Sequence, residues 1–306
     1  MRTCFAARTL RVALLILIVP VLLSCGSDEE ISQMPGINVR AITFAGADEE
    51  VSALLLAPTD SSAPGPGLLF VHWGFGDRTS FEREAASYAQ AGATSLLIDA
   101  PGFGLRKGPR VGAKDPVLMQ AYTMRFLGDL ACALDFLAAQ PGVDPARLGY
   151  VGHSLGATIA GAFLAREPRV RAAVLMTPTG RLSKFWLTQP DSTGRLPTFD
   201  GVVNLPNVSI PLLFQFAERD EWITRADAGA QVAAAAGPKT VQWYHADHAL
   251  DAEALAARAA WLTTAVSFPS APAMPNDNAL PPAQVRSYRL IKPLVRIQNW
   301  FAGERR

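Results

Sequence analysis

The stretch YVGHSLG, residues 150–156, decides the fold, because it places the pattern Gly-x-Ser-x-Gly between an apolar strand pattern and a helical pattern. A serine at such a sharp strand-to-helix turn is held in a strained backbone conformation, and the two glycines leave room for the neighbouring elements. The turn lifts the hydroxyl of Ser154 above the sheet and puts it at a helix N-terminus, where free N–H groups favour developing negative charge. Ser154 is therefore the candidate nucleophile, with an ordinary glycine-rich turn as the alternative interpretation.

Four histidines could supply the base that this nucleophile needs, since a serine hydroxyl reacts weakly at neutral pH. His72 ends a predicted buried strand upstream, and the side chain of His153 is expected to point away from the serine beside it. His245 and His248 both follow the last predicted strand. His248 is better placed on a loop that reaches over the sheet, so it is the candidate base. His245 remains the alternative and is expected to be structural or at the pocket rim.

The base in turn needs a carboxylate that holds its tautomer and stabilises the imidazolium. Asp220 lies in the loop AERDEW, residues 217–222, just beyond a predicted strand, and is the candidate. Glu218 and Glu221 lie in the same loop and are more simply interpreted as solvated charges. Asp227 belongs to the following helix, and Asp247 sits beside the base and could at most bond it locally.

An oxyanion hole must hold the negative oxygen of the tetrahedral intermediate, and loss of one donor costs about 2.7–4 kcal/mol. The backbone N–H of Leu155, directly after the candidate nucleophile, is one donor. The second is expected in the loop VHWGFGD, residues 71–77, where two glycines let the backbone approach a ligand closely. We assign it to the N–H of Gly74, with Phe75 as the alternative, and expect His72 to brace this loop.

Beyond an antiparallel entry hairpin, predicted strands alternate with predicted helices. Repeated strand–helix units imply an α/β fold with a mostly parallel central sheet and helices on both faces. The segment 178–209 between two predicted strands is too long to be an ordinary connection, so it is expected to form a short cap or lid insertion. The predicted strands are 38–44, 51–56, 68–72, 94–98, 148–151, 172–176, 211–216 and 241–244, and the predicted helices are 81–91, 117–139, 155–166, 225–236 and 252–266.

The chain from 38 to 266 resembles an α/β hydrolase and, within that fold, is similar to the dienelactone-hydrolase-like group. The resemblance implies the α/β-hydrolase fold and the chain order nucleophile, acid, base. Dienelactone hydrolases use a cysteine nucleophile where this chain has Ser154, and Trp73 stands where their loop usually has glycine, so general ester hydrolysis is implied rather than a lactone substrate. The matching motifs are HWGFG at 72–76, DAPGFG at 99–104, GHSLG at 152–156, AERD at 217–220 and ADH at 246–248.

These residues together predict a serine hydrolase that cleaves small-molecule carboxylic esters through an acyl-enzyme intermediate, with Ser154, Asp220 and His248 as the catalytic triad. One alternative is a peptidase or thioesterase that uses the same triad. Another is a catalytically silent envelope lipoprotein that binds a ligand or partner in the same pocket.

The N-terminus is typical of an export signal that the mature protein loses. Residues 1–24 combine three arginines with an apolar run over 12–23 that is too short to span a bilayer. The run ends in a serine and Cys25, which resemble the bacterial lipoprotein box, so Cys25 is the predicted lipidation site; an ordinary signal peptide or an uncleaved anchor is the alternative. Residues 25–37 follow as a polar spacer. Gly26 favours the outer membrane, facing the periplasm, over the inner membrane of the bacterial envelope.

Composition argues against several other classes of protein. The 28 lysines and arginines nearly balance the 27 aspartates and glutamates, whereas a nucleic-acid binder usually has a basic excess. No glycine-rich phosphate loop, Cys/His metal spacing or dinucleotide fingerprint occurs in the sequence, so we expect no cofactor and no metal. The nearest metal candidate, formed by His245, Asp247 and His248, lacks a further cluster of ligands. Cys132 lies at an apolar helix position and is expected to belong to the core.

Residues 267–306 follow the predicted domain as a linker and a basic amphipathic tail. Residues 267–282 are rich in proline, alanine and asparagine. Beyond them apolar residues recur at helical spacing beside basic ones, and Pro293 suits the first turn of a helix. Such a helix could lie on an anionic membrane surface, but packing against the domain or partial disorder is favoured. The apolar positions are Leu290, Leu294, Ile297 and Phe301.

Overall fold

The computed structural model describes residues 34–60, 63–106, 108, 115–180, 196–277 and 280–301. The predicted export signal over 1–24, the lipidation site Cys25 and most of the spacer lie outside the described residues. Among the helices that are described, none is both long and apolar enough to cross a membrane.

Eight strands of the described residues form one sheet. The strands are β1 (Ile37–Ala45), β2 (Glu50–Pro58), β3 (Gly65–Val71), β4 (Thr94–Ile98), β5 (Val143–His153), β6 (Val170–Met176), β7 (Leu212–Ala217) and β8 (Lys239–Tyr244). Their order across the sheet is β1-β2-β4-β3-β5-β6-β7-β8. β2 pairs antiparallel with both β1 and β4, and the other neighbouring pairs are parallel.

Helices cover both faces of this sheet, which confirms the predicted α/β architecture. They are α1 (Glu82–Gln90), α2 (Pro116–Ala138), α3 (Leu155–Leu164), α4 (Gly201–Asn204), α5 (Arg225–Ala234), α6 (Ala252–Ala265) and α7 (Pro282–Phe301). Buried residues of α2, α3 and α5 join one hydrophobic cluster, and those of α1 and α6 join a second cluster on the opposite face.

Strand β3 shows why the central strands are continuously apolar. Leu69 and Val71 point into the cluster under α2 and α3, whereas Leu68 and Phe70 point into the cluster under α1 and α6. Successive side chains of a strand point to opposite faces, so a strand covered on both sides must be apolar at every position. Each such buried side chain contributes about 1.5–3 kcal/mol.

The strand order also fixes where a site can form. β3 lies between β4 and β5. The chain therefore runs from β3 to β4 on one side of it and then crosses to β5 on the other side of β3. The connections diverge at such a switch point and leave a crevice at the carboxyl ends of the strands. The loop after β3 and the turn after β5 therefore lie next to each other.

The predicted cap or lid insertion is described in part. Residues 181–195 lie outside the described residues, and residues 196–207 form a 3₁₀ turn, the short helix α4 and a second 3₁₀ turn. This part packs on α3, where a Cβ added to Gly161 would lie 2.9 Å from the Cα of Gly201. Arg166 adds a hydrogen bond of 3.0 Å from its Nη1 to Asn204 Oδ1. A lid function for 178–209 stays a prediction.

The described part of the C-terminal tail packs against the domain, but through a face that the sequence pattern did not indicate. α7 starts at Pro282, and Pro293, expected in its first turn, lies inside it. Leu290, expected on the apolar face, is 74% exposed, whereas Gln284 and Tyr288 are buried. The spacing correctly indicated a helix, and the face of α7 that contacts the domain carries Gln284 as well as Tyr288.

Candidate active site

Ser154 stands at the turn from β5 into α3, as predicted from the Gly-x-Ser-x-Gly pattern. Its φ is +50° and its ψ −99°, a conformation that costs a non-glycine residue of order 1–3 kcal/mol. A backbone contact stabilises this strained conformation, because Ser154 N–H donates to the Met176 carbonyl at 2.8 Å. A Cβ on Gly156 would lie 2.2 Å from the Val71 carbonyl oxygen, so only glycine fits there.

Two further hydrogen bonds fix this turn to its neighbours. The hydroxyl of Tyr150 donates to the Gly156 carbonyl at 2.7 Å, and Gly156 N–H donates to the His72 carbonyl at 3.2 Å. The first turn of α3 is thereby tied to β5 and to the end of β3. The N–H of Leu155, the predicted first oxyanion donor, opens this helix.

The loop after β3 is rigidly held around the predicted second donor. The Trp73 carbonyl accepts hydrogen bonds from His72 Nδ1 at 2.7 Å and from Gly76 N–H at 3.1 Å. His72 Nε2 accepts from Ala100 N–H at 3.0 Å, which fixes the tautomer and makes Nδ1 the donor. Because the C=O and N–H of a trans peptide point in opposite directions, a fixed Trp73 carbonyl fixes the Gly74 N–H. Among the described residues, apart from its chain neighbours, no atom lies within 4 Å of a Cβ added to Gly74, so these residues leave room for a ligand at this backbone.

Asp220 and His248 meet in the interior, at the ends of β7 and β8. His248 Nδ1 lies 2.8 Å from Asp220 Oδ2, and both side chains are 2% exposed. The other oxygen of Asp220 accepts from the N–H groups of Trp222 at 2.8 Å and Ile223 at 2.9 Å. A carboxylate at Nδ1 places the proton there and leaves Nε2 as the acceptor, the tautomer that a general base needs.

His153 links the predicted nucleophile to the predicted base. Its Nε2 donates to the His248 carbonyl at 2.8 Å, and the two imidazole rings are 5.5 Å apart. Within the described residues no hydrogen bond joins the Ser154 hydroxyl to the His248 ring. Such bonds are often long without substrate and tighten in the reacting complex. The expectation that His153 only points away misses this bond, which arises between residues 95 positions apart.

The pKa of His153 is held well below its usual value of 6.5, first by burial and then by the nearby His248. The unfolded chain binds this proton more readily than the folded one, so folding stability is lost as the pH falls below 6.5. The slope for one group is at most about 1.4 kcal/mol per pH unit. The variant His153→Phe keeps an aromatic ring against Trp73 but has no group that titrates there, so its folding stability should lack this pH dependence.

Urea unfolding of both proteins checks this prediction. The stability advantage of the native protein over His153→Phe should be largest near neutral pH and should shrink toward about pH 5. An advantage that stays constant over this range would show that His153 can be protonated inside the fold.

The alternative site residues lie outside the buried pair. The side chain of His245 is 75% exposed, and its Nδ1 lies 3.2 Å from Glu218 Oε2. Its other contacts are to Arg219, so this group belongs to the surface. His245 thus lies at the surface, and its role as a rim or structural residue stays a prediction.

Two carboxylates contact α7, and one of them needs correction. Glu221, expected to be solvated, is buried and accepts from the Tyr288 hydroxyl at 2.7 Å. Asp247, expected at most to bond the base, accepts from Lys292 Nζ at 2.7 Å. The expectation for Glu221 was wrong because its partners come from α7, far along the chain. The expectation for Asp247 is not contradicted by its ion pair with Lys292.

Aromatic rings surround the histidines, and of these rings Trp73 alone was singled out from the sequence. The Trp73 ring is stacked on His153 at 5.2 Å, and the Trp222 ring lies 4.8 Å from His248. Tyr288 lies 5.5 Å from Trp73 and 5.6 Å from Trp222. These rings shield the Asp220–His248 pair from water, which strengthens its electrostatic interaction.

Across the described residues, no group of three or more potential ligands is arranged to hold a metal ion. Cys132 is a free thiol packed at the edge of the core, and burial raises its pKa, so its reactive thiolate form is disfavoured.

The sequence profile described as Alpha/beta hydrolase family matches residues 68–301, more than half of the chain. The chain belongs to the alpha/beta hydrolase family. This hydrolase-family chain is 28% identical over 188 residues to an uncharacterized protein of Mycobacterium tuberculosis, a match that spans 60% of this chain and 62% of that protein.

Solved structures share the fold at lower identity. The acetyl xylan esterase from Paenibacillus sp. R4 superposes with a TM-score of 0.64 and 22% identity, over 76% of this chain and 85% of that one. A predicted dienelactone hydrolase from Klebsiella pneumoniae gives a TM-score of 0.53 and 18% identity, over 69% and 87%. At these identities the likeness shows a common fold.

Proposed function

We propose that this α/β hydrolase is a dienelactone-hydrolase-like serine esterase that cleaves carboxylic esters through an acyl-enzyme. The observation that carries the proposal is the buried pair of His248 and Asp220, at the sheet edge where the strained turn presents Ser154. A pair in this tautomer has the protonation state that a base for a serine nucleophile requires. The esterases among the proteins of the same fold support an ester as the substrate.

In the proposed reaction the Ser154 hydroxyl oxygen attacks the ester carbonyl carbon while its proton passes to His248 Nε2. The N–H groups of Leu155 and Gly74 hold the oxyanion. As the tetrahedral intermediate collapses, the carbon–oxygen bond to the alcohol breaks and the imidazolium gives its proton to the leaving oxygen. Water then repeats the sequence on the acyl-enzyme, which releases the acid and restores the serine. Asp220 keeps the imidazole oriented and stabilises its charged form throughout.

A matched set of substrates tests the reaction class. We would measure kcat/KM for p-nitrophenyl acetate, an acetyl thioester and p-nitroacetanilide, which share one acyl group. The highest value is expected for the ester. A higher value for the thioester or the anilide would replace the proposal by a thioesterase or a peptidase. Absence of turnover and of labelling by a fluorophosphonate would favour a silent binding protein.

We also propose that the protein is lipid-anchored in a bacterial envelope through Cys25, on the outer membrane and facing the periplasm. The apolar run over 12–23 that ends at this cysteine supports the proposal. Cys25→Ala should move the protein from the membrane fraction to the soluble fraction, whereas Cys132→Ala, the matched control, should leave it membrane-bound. Unchanged membrane association of Cys25→Ala would contradict the anchor.

A further inference from the structure

Three polar residues recur at intervals of four along α7, namely Gln284, Tyr288 and Lys292. Residues four apart on a helix share one face, so their side chains form a row along α7. Gln284 and Tyr288 are buried, and the Lys292 side chain is 19% exposed. This row contacts, in order, the loops that carry the proposed oxyanion donor, acid and base.

Gln284 is bonded to the loop after β3 and to the turn that follows it. Its Oε1 accepts from Trp73 Nε1 at 3.0 Å and from the Ser80 hydroxyl at 2.7 Å. Its Nε2 donates to Asp77 Oδ1 at 3.3 Å and to the Thr79 hydroxyl at 3.2 Å. The amide thus spans the segment that begins beside Gly74, the proposed oxyanion donor.

Tyr288 and Lys292 join the two loops that carry the acid and the base. The Tyr288 hydroxyl donates to Glu221, the residue after Asp220, at 2.7 Å. Lys292 Nζ lies 2.9 Å from Glu221 Oε1 and 2.7 Å from Asp247 Oδ2. Asp247 directly precedes His248, so one ammonium group bridges the neighbours of both members of the buried pair.

We propose that α7 is a positioning element of the active site, in which Gln284, Tyr288 and Lys292 hold the oxyanion, acid and base loops in one fixed arrangement. The proposal rests on the proposed esterase function. The three loops leave different strands. Arg219 N–H donates to the Ala246 carbonyl at 3.0 Å and so ties the acid loop to the base loop, but a constraint on all three loops together has to come from an element that contacts each of them. A row of side chains on one rigid helix supplies that constraint.

Lys292 is the residue whose removal should matter most. The Glu221 side chain is 1% exposed, and a buried carboxylate without its cation is strongly unfavourable. The loop that carries Asp220 would shift to reach water, and a displacement near 1 Å can cost roughly 100-fold in rate. Lys292 touches no reacting atom, so it acts through the loops.

The experiment compares Lys292→Met and Lys292→Arg with Arg289→Met, which removes an exposed charge one turn away on the same helix. For Lys292→Met we expect kcat on p-nitrophenyl acetate to fall roughly 10- to 100-fold with little change in KM. Lys292→Arg keeps the charge and should recover most of kcat, and Arg289→Met should behave as the native protein.

The pH profile separates positioning from a general loss of structure. Among the described residues that contact His248, Asp220 and His153 have titratable side chains. Lys292 neutralises Glu221 and Asp247, and the Tyr288 hydroxyl donates to Glu221. Loss of the ammonium leaves two carboxylates uncompensated near His248, which favours the imidazolium. The acid limb of kcat/KM should therefore move to higher pH in Lys292→Met and stay in place in Lys292→Arg.

Equal kcat and equal pH profiles for Lys292→Met and Arg289→Met would overturn the proposal. So would a loss in Lys292→Met that merely follows its folded fraction, measured by circular dichroism, with an unmoved acid limb. A native protein that hydrolyses no ester would instead overturn the esterase function, so the two failures are distinguishable.

Discussion

Replacement of Ser154 by alanine should lower kcat for p-nitrophenyl acetate by about 10⁶-fold, the scale on which serine hydrolases depend on their nucleophile. Without the hydroxyl no acyl-enzyme can form, and only the binding and oxyanion contributions remain. The fold should persist because the structural bonds of Ser154 come from its backbone, whose N–H reaches Met176 and whose carbonyl accepts from Thr158 N–H at 2.8 Å. Alanine keeps both bonds.

A buried serine in the sheet gives the matched control. Ser95 lies in β4, and its hydroxyl has no hydrogen-bond partner among the described residues. Ser95→Ala should leave kcat unchanged, with a melting temperature close to that of the native protein, as for Ser154→Ala. Turnover by Ser154→Ala within tenfold of the native value would place the nucleophile elsewhere.

Asp220→Asn should lower kcat by about 10⁴-fold, although it only replaces one carboxylate oxygen by an NH₂ group. The asparagine oxygen can still accept from the N–H groups of Trp222 and Ile223, so its NH₂ group is directed at His248 Nδ1. A donor at Nδ1 moves the imidazole proton to Nε2, which then cannot accept the proton of Ser154.

Steady-state kinetics of Asp220→Asn and Glu218→Gln check this expectation. Glu218 is a carboxylate two positions earlier in the same loop, but it faces solvent and pairs with His245. Glu218→Gln should keep the native kcat. Equal and small effects of both substitutions would show that the buried pair does not set the tautomer of the base.

The parts of the site that could be predicted from sequence depend on local pattern. A buried parallel strand has to be apolar throughout, and a tight strand-to-helix turn needs glycines around its serine, so β3 and the turn at Ser154 are visible in the printed sequence. The choice of His248 over His245 also follows from position relative to a strand end. Short-range geometry decides each of these features.

The parts that could not be predicted depend on contacts between distant residues. Trp73 and Gln284 are 211 positions apart, and Tyr288 reaches Glu221 over 67 positions. A carboxylate such as Glu221 looks solvated until its partner is known, because charge pairing leaves no periodic pattern in the chain. The early start of α7 was missed for a similar reason, since its buried face carries polar groups.

Reaction with a fluorophosphonate, followed by mass spectrometry of the peptides, tests most directly whether Ser154 is the activated nucleophile. We expect one adduct per chain, located on Ser154, that forms much more slowly in Asp220→Asn and not at all in Ser154→Ala. An adduct on another residue, or a native protein that hydrolyses esters while Ser154 stays unlabelled, would contradict the proposed catalytic triad.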